Sequence, residues 1–295
     1  MSNFLLCTDS GSDLMLDACK KYDIIPLKMH YSIGNEVFTD GMTIETVQEL
    51  YGKMVDGAVP KTSQINASEF VDFWTPLLSE NLPILHLSLG SGISGTYSNA
   101  EIAKQMILEE HPDAEIYLVD SLGASASYGM LCVEVAKLRA EGKDVKQCYD
   151  WLMEVRHNVD VFYTTGDLKY LHRGGRVSKT SAVVGTVLNI NPILTLDPAG
   201  KLVSIDKARG EKATERRVRE LVGDLVVNAS ENTLYISHSD CPERAKRFGD
   251  MLQAEYGFKD VFYTYIGATI GSHTGPGLVA VFFLGQPRPE ISKYK

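Results

Sequence analysis

The chain has 295 residues, 44% hydrophobic and 23% charged, with a formal net charge of −9. That length suits two modest lobes, since single cores stop growing near about 250–300 residues, and the acidic balance excludes nucleic acid as the main partner, because phosphate neutralisation needs a basic face. No stretch of roughly 18 apolar residues runs unbroken, Met1 to Leu6 lacks the length and basic flank of a secretory signal, and the five scattered cysteines form no C-x-x-C pair, so the expectation is a cytoplasmic protein without membrane insertion, disulfide framework or metal site.

In chain order, apolar runs at Phe4 to Thr8, Ile24 to Ile33, Ile84 to Leu89 and Glu115 to Val119 alternate with helical patterns at Ile44 to Val55, Ala67 to Glu80, Ser98 to Glu110 and Ala126 to Glu141. This alternation predicts βα units on a largely parallel sheet. Thr43, Ser68 with Glu69, and Thr96 to Ser98 mark the helix starts. Beyond residue 160 come strand patterns at Val161 to Thr165, Pro192 to Leu196, Leu202 to Lys207, Thr233 to Ser237, Val261 to Ile266 and Val279 to Leu284. Fewer helices accompany them, near Ser178 to Leu188, Glu211 to Val227 and Glu243 to Tyr256. The fold class is therefore α/β: a Rossmann-like parallel-sheet lobe over residues 1–160 and a mixed-sheet α/β lobe over 161–295. Charge is uneven, because Leu168 to Arg217 holds ten Lys or Arg against four acids, a local +6 that leaves −15 elsewhere. Such a segment is a solvated face or a docking surface for a phosphate-bearing ligand or an acidic partner.

Ligands of parallel sheets bind beyond the carboxyl ends of the strands, where helix N-termini offer free N–H groups. Four loops at that edge are rich in hydroxyls: Thr8 to Asp13, Lys61 to Gln64, Gly90 to Thr96 and Asp120-Ser121. In Gly90 to Thr96 the glycines permit close backbone approach while Ser91, Ser94 and Thr96 carry hydroxyls, which suits an anion without a metal. The same loop reads formally as G-x-G-x-x-G with Asp120 downstream, so a dinucleotide site is a rival. Asp9 and Asp13 could suggest a metal or a phosphoaspartate, but no matching cluster of acids or histidines accompanies them, and Asp9 is assigned to loop bracing or N-capping. In the second lobe, Leu168 to Arg176 is a helical turn ended by Gly174-Gly175, with Arg173 and Arg176 expected exposed as anion binders or helix caps. His273 is placed in a loop, Gly271 to Gly277, whose glycines would admit it to a ligand; His238 is the weaker candidate. No P-loop, nucleophile elbow, zinc-protease helix or kinase signature is present, and the chain reads as built to bind rather than to catalyse.

Thr8-Asp9-Ser10, Lys61-Thr62-Ser63-Gln64, Ser91 to Tyr97, Leu171 to Arg176 and His273 to Gly277, taken together and in order, resemble the DegV family over nearly the whole chain. The resemblance implies a cofactor-free carrier that binds a long-chain fatty acid between two α/β lobes. In some members this is the binding subunit that presents the carboxylate to the ATP-binding subunit of a fatty acid kinase. It implies carboxylate contacts from Thr62, Ser63, Gly92, Ser94, Gly95, Thr96, His273 and Thr274. Arg173 and Arg209 would face phosphate or the partner. One departure is Gln64-Ile65-Asn66, where members often carry Gln-Pro-Ser. Hydroxyls suit a carboxylate, and about 15 buried methylenes would contribute roughly 12 kcal/mol gross, before several kcal/mol of association cost. Ser181 to Leu188 and Ile190 to Leu196 are candidate walls. The alternatives are a dinucleotide-dependent enzyme using the Gly90 loop and a non-catalytic lipid-responsive interaction module.

Overall fold

A computed structural model describes residues 3–177 and 189–294 of the chain. The first half runs β1 (Leu5–Asp9), α1 (Leu16–Lys21), β2 (Ile24–Leu27), β3 (His30–Ile33), β4 (Glu36–Thr39), α2 (Ile44–Val55), β5 (Pro60–Thr62), α3 (Ala67–Leu77), β6 (Ile84–Ser88), α4 (Thr96–Glu110), β7 (Ile116–Asp120), α5 (Ala126–Ala140) and α6 (Val145–Val155). The second runs β8 (Val159–Thr164), α7 (Lys169–Arg173), β9 (Ile190–Leu196), β10 (Leu202–Arg209), α8 (Glu211–Leu225), β11 (Thr233–His238), α9 (Pro242–Tyr256), β12 (Asp260–Tyr265), α10 (Ala268–Thr274) and β13 (Val279–Leu284). The helix expected near Ser178 to Leu188 lies outside the described residues.

Three sheets result. β2-β1-β6-β7 is wholly parallel, β10-β9-β8-β13-β11-β12 is mixed, with β11 and β12 its parallel pair, and β4-β3-β5 is antiparallel. The fold is thus α/β, as expected, with a parallel sheet first and a mixed one after. β6 is buried at every position because helices cover both faces of a parallel sheet. α5 is buried over most of its surface and packs against β1 of the first sheet and β8, β11 and β13 of the second. One core accordingly runs from Phe4 and Trp74 through Leu131 to Tyr235 and Phe282. A second, around Phe248 and Phe283, includes residues of α8 and α9.

Two expectations need correction. The Ile24 to Ile33 run is not one strand: it divides into β2, beside β1, and β3, in the small sheet. β2 is an edge strand, the place where Pro26, lacking an N–H, is tolerated. β3 and β4 then turn through Gly34-Asn35, with Ile33 opposite Glu36. The start of α3 is marked not by Ser68 but by Asn66, whose Oδ1 accepts from Glu69 N at 3.0 Å while Glu69 Oε2 accepts from Asn66 N at 2.8 Å. The departure at Asn66 thus keeps a capping side chain there.

In the first sheet the chain passes from β1 to β2 on one side and later to β6 on the other. The carboxyl ends of β1 and β6 therefore form the topological switch point, where a crevice opens between diverging loops.

Candidate ligand-binding site

A cavity of about 470 Å³ includes residues of this edge, within the range of small-molecule sites. Its walls come from both halves of the chain: Thr62, Ser63 and Gln64 before α3, Leu89 and Ser91 to Gly95 after β6, Leu171 and Arg176 around α7, and Thr269, Ile270, His273 and Thr274 of α10. Met29, Ala124, Tyr163, Leu202 and Leu278 complete it. Burial sorts these residues. Met29, Leu89, Tyr163, Leu171 and Leu278 are all 5% exposed or less, whereas Ser63, Gln64 and Ser91 reach the surface. The apolar residues therefore form an enclosed wall and the hydroxyls and amide a wet lip, the arrangement that suits an amphiphile with a polar head.

The polar groups are largely fixed before any guest arrives. Thr62 Oγ1 lies 2.7 Å from His273 Nε2, joining residues 211 apart in sequence. Burial, and next the Arg176 charge, pull the His273 pKa down to about 4, so the ring is neutral at pH 7. It packs against Gly174, where any side chain would collide with the imidazole. The Gly174-Gly175 pair thus does more than end α7: its first member admits His273. Arg176 Nη1 donates to Gly174 O at 2.5 Å and Nη2 to Ile93 O at 3.3 Å, leaving a half-buried guanidinium on the cavity wall. It was expected exposed; the backbone carbonyls account for the difference. Ser94 Oγ accepts from Thr96 N at 3.2 Å and lies 2.9 Å from Thr96 Oγ1. When Thr96 Oγ1 is the donor, the Ser94 hydrogen is free for a guest.

The described cavity brings together Thr62, Ser63, Gly92, Ser94, Gly95, His273 and Thr274. Thr96 is not on its surface, being fully buried beneath Ser94 as the first residue of α4. Thr274 contributes a wall, but its hydroxyl lies 3.1 Å from Ser239 Oγ. His273 does not sit in a loop: it occupies the last turn of α10, whose Gly271 N bonds Gly267 O at 2.7 Å. Arg173 is exposed and lines a recess of about 290 Å³ that shares Thr62, Arg176 and His273 with the cavity, while Arg209, exposed at the end of β10, lines neither. Ile190 to Leu196 is β9, whose side chains pack in the sheet and do not wall the cavity. Ser181 to Leu188 lies outside the described residues. Among the lining residues the sequence reading missed are Met29 and Tyr163, single residues with no motif around them, and Ile270 and Leu278, which directly flank the Gly271 to Gly277 segment.

The Gly90 loop is constrained by its neighbours. Ser91 donates from N and Oγ to the two oxygens of Asp120, at 3.0 and 2.5 Å, and Gly92 lies against the backbone of Ala199 and Gly200. The carboxylate a dinucleotide would use on its ribose is therefore engaged by this loop.

A sequence profile described as that of uncharacterised DegV-family proteins matches residues 3–286. The chain belongs to the DegV family. A DegV domain-containing protein of Clostridium perfringens is 37% identical over 289 residues, covering 98% of this chain and 99% of the relative. Among solved structures, a DegV-family protein of Thermus thermophilus described by its fatty acid binding is 28% identical, with a TM-score of 0.86 over 97% of this chain and 100% of the other. DegV of Bacillus subtilis, described as a fatty acid binding protein, is 25% identical with a TM-score of 0.81, again over 97% and 100%.

Proposed function

We propose that this DegV-family chain binds a long-chain fatty acid in the 470 Å³ cavity, acyl chain along the buried apolar wall and carboxylate at the lip formed by Thr62, Ser94 and His273. The observation that carries the reading is the division of one cavity into a dry apolar wall and a polar lip with a neutral histidine and a guanidinium. The fatty-acid-binding relatives support it. A carboxylate there gains charge-assisted hydrogen bonds from hydroxyls and from Arg176, while about 0.8 kcal/mol per buried methylene holds the chain. Native mass spectrometry of protein from a bacterial host, followed by organic extraction, tests this. A mass increment equal to an extracted long-chain acid is the expected result, and a bound nucleotide would sink it.

The finer reading is that the carboxylate is presented to a kinase subunit: a carboxylate oxygen attacks the γ-phosphorus of ATP, ADP leaves, and an acyl phosphate remains. What favours it is the neighbouring recess that shares Thr62, Arg176 and His273 with the cavity and has exposed Arg173 on its wall. With a cognate kinase, Arg173→Ala should bind ligand almost normally yet yield less acyl phosphate, and Arg173→Lys should rescue poorly because an ammonium lacks the planar fork. Normal turnover by the alanine variant would remove Arg173 from the mechanism.

A further inference from the structure

Three carboxylates meet beneath the cavity. Asp9 ends β1, Asp13 follows the 3-10 turn after it, and Asp40 follows β4; each is at most 1% exposed. Among the described residues none of them has an ion-pair partner, and each raises the pKa of a neighbour in the group or has its own raised by one. Their hydrogen bonds are unequal. Asp9 accepts from Gly11 N at 3.0 Å, Tyr128 OH at 2.6 Å and Leu89 N at 2.8 Å. Asp40 accepts from Met42 N at 3.1 Å and from Thr269 N and Oγ1 at 3.0 and 2.9 Å. Asp13 Oδ1 accepts from Gly267 N at 2.9 Å, whereas its Oδ2 is sealed from solvent without a partner. A buried anion must be compensated by donors or counter-charge; Asp9 and Asp40 are, and Asp13 is not.

We propose that Asp13 is a neutral carboxylic acid at neutral pH, with its hydrogen on Oδ2, and that it is a positioning residue whose proton lets the Gly267 start of α10 rest on the acidic cluster. α10 carries Thr269, Ile270 and His273 into the cavity wall, so the like charge that ionising Asp13 adds beside Asp9 and Asp40 loosens that wall, although the Gly267 N–H bond itself strengthens. The groups facing Asp13 are Asp9, Asp40, Tyr51 from α2, Tyr128 from α5 and Tyr163 from β8, with no cation among them. Burial moves Asp13 well above the usual carboxylate range, the charges of Asp40 and Asp9 push the same way, and the Gly267 N–H opposes them. Ser125 directs its own hydrogen to Ser237 Oγ at 3.3 Å, which leaves its oxygen able to accept.

A carboxyl with a folded-state pKa above its unfolded value loses stability as pH rises between the two, from about pH 4 upward here. Asp13→Asn keeps the shape and a donor while deleting this titration. The unfolding midpoint of Asp13→Asn minus that of the unmodified chain should therefore grow with pH, by roughly 2 to 4 °C per pH unit within the window. A difference that is constant or shrinks as pH rises overturns the assignment. Should the variant not fold, carboxyl-carbon NMR of aspartate-labelled unmodified protein decides: Asp13 is expected at the shift of the protonated form at pH 7, and an ionised shift overturns it. The effect on ligand rests on the fatty-acid reading. Labelled palmitate should lose affinity between pH 7 and 9 for the unmodified chain by more than for Asp13→Asn, and equal losses overturn the link to the cavity. If palmitate binds neither protein at any pH, the ligand reading fails while the Asp13 proton stands or falls on the first two measurements.

Discussion

The Gly90–Thr96 loop and α10 wall the same cavity and are held in opposite ways. The loop is tied to its own sheet edge, by Gly90 N to Gly123 O at 2.9 Å and by Ser91 to Asp120. α10 is tied to residues more than 200 positions earlier, through Asp13, Asp40 and the Tyr51 hydroxyl, which reaches Ile266 O at 2.9 Å. The loop looks chemical and commits much of its polarity to itself; α10 holds only the start of the His273 to Gly277 motif, yet supplies the histidine. A glycine- and serine-rich signature marks where a site is built more surely than which atoms serve it.

The comparison breaks first at Gly92. Gly92→Ala should cost stability of about 3 kcal/mol, the upper end for overpacking, because the obstruction is the backbone of Ala199 and Gly200 rather than a movable side chain. Thermal unfolding would show a fall of several degrees, and an unchanged midpoint would mean the loop is free to shift. Ser94→Ala and Thr62→Ala take one hydroxyl from each side of the lip. Each should weaken fatty acid binding about 10- to 150-fold, matching roughly 1.5–3 kcal/mol for a bond to a charged group, with folding retained. Calorimetric titrations with unchanged affinity in both would place the head group elsewhere.

Thr269→Val tests the other anchorage. It keeps the N–H bond to Asp40 and removes the 2.9 Å hydroxyl bond, for a loss of about 1–2 kcal/mol in denaturant unfolding. An equal loss from an exposed α2 substitution would show that the α10 contacts are not special. The effect confined to acid pH belongs to His273. Its folded-state pKa, about 4 against 6.5, means that stability present above pH 6.5 is lost progressively as pH falls toward 4. His273→Gln should flatten that part of the stability–pH curve and leave the curve above pH 7 parallel to the original; an unaltered acid limb would mean His273 titrates as it does in the unfolded chain.

Periodicity exposed the long elements because their pattern is local: α2 and β13 lie where the apolar spacing places them. β4 and β5, at four and three residues, were too short to show a period, and the Gly34-Asn35 turn between β3 and β4 is the signal that would have revealed the first. Four of the five motifs led to the cavity, all but Thr8-Asp9-Ser10, which supplies none of its lining. The fates of individual hydroxyls were not legible, since whether Thr96 faces a ligand or its neighbour Ser94 depends on where α4 begins. Nor was Arg176, whose burial is set by the carbonyl of Ile93 across 83 residues.

β13 is the last strand in chain order and occupies the middle of the six-stranded sheet, between β8 and β11. Just beyond it, Arg288 spans Val159 O, Leu122 O and Asp197 O at 2.9–3.2 Å, stitching three distant turns of chain. A ribosome making this protein must therefore reach Leu284 before the second sheet has a centre, so the edges of β8 and β11 that face β13 stay unpaired while the residues between are made. Their pairing is non-local and intrinsically slow, and exposed edges invite association. A break in the chain before Val279 would thus leave β8 and β11 without the strand that joins them, removing the centre of the second sheet rather than trimming an edge.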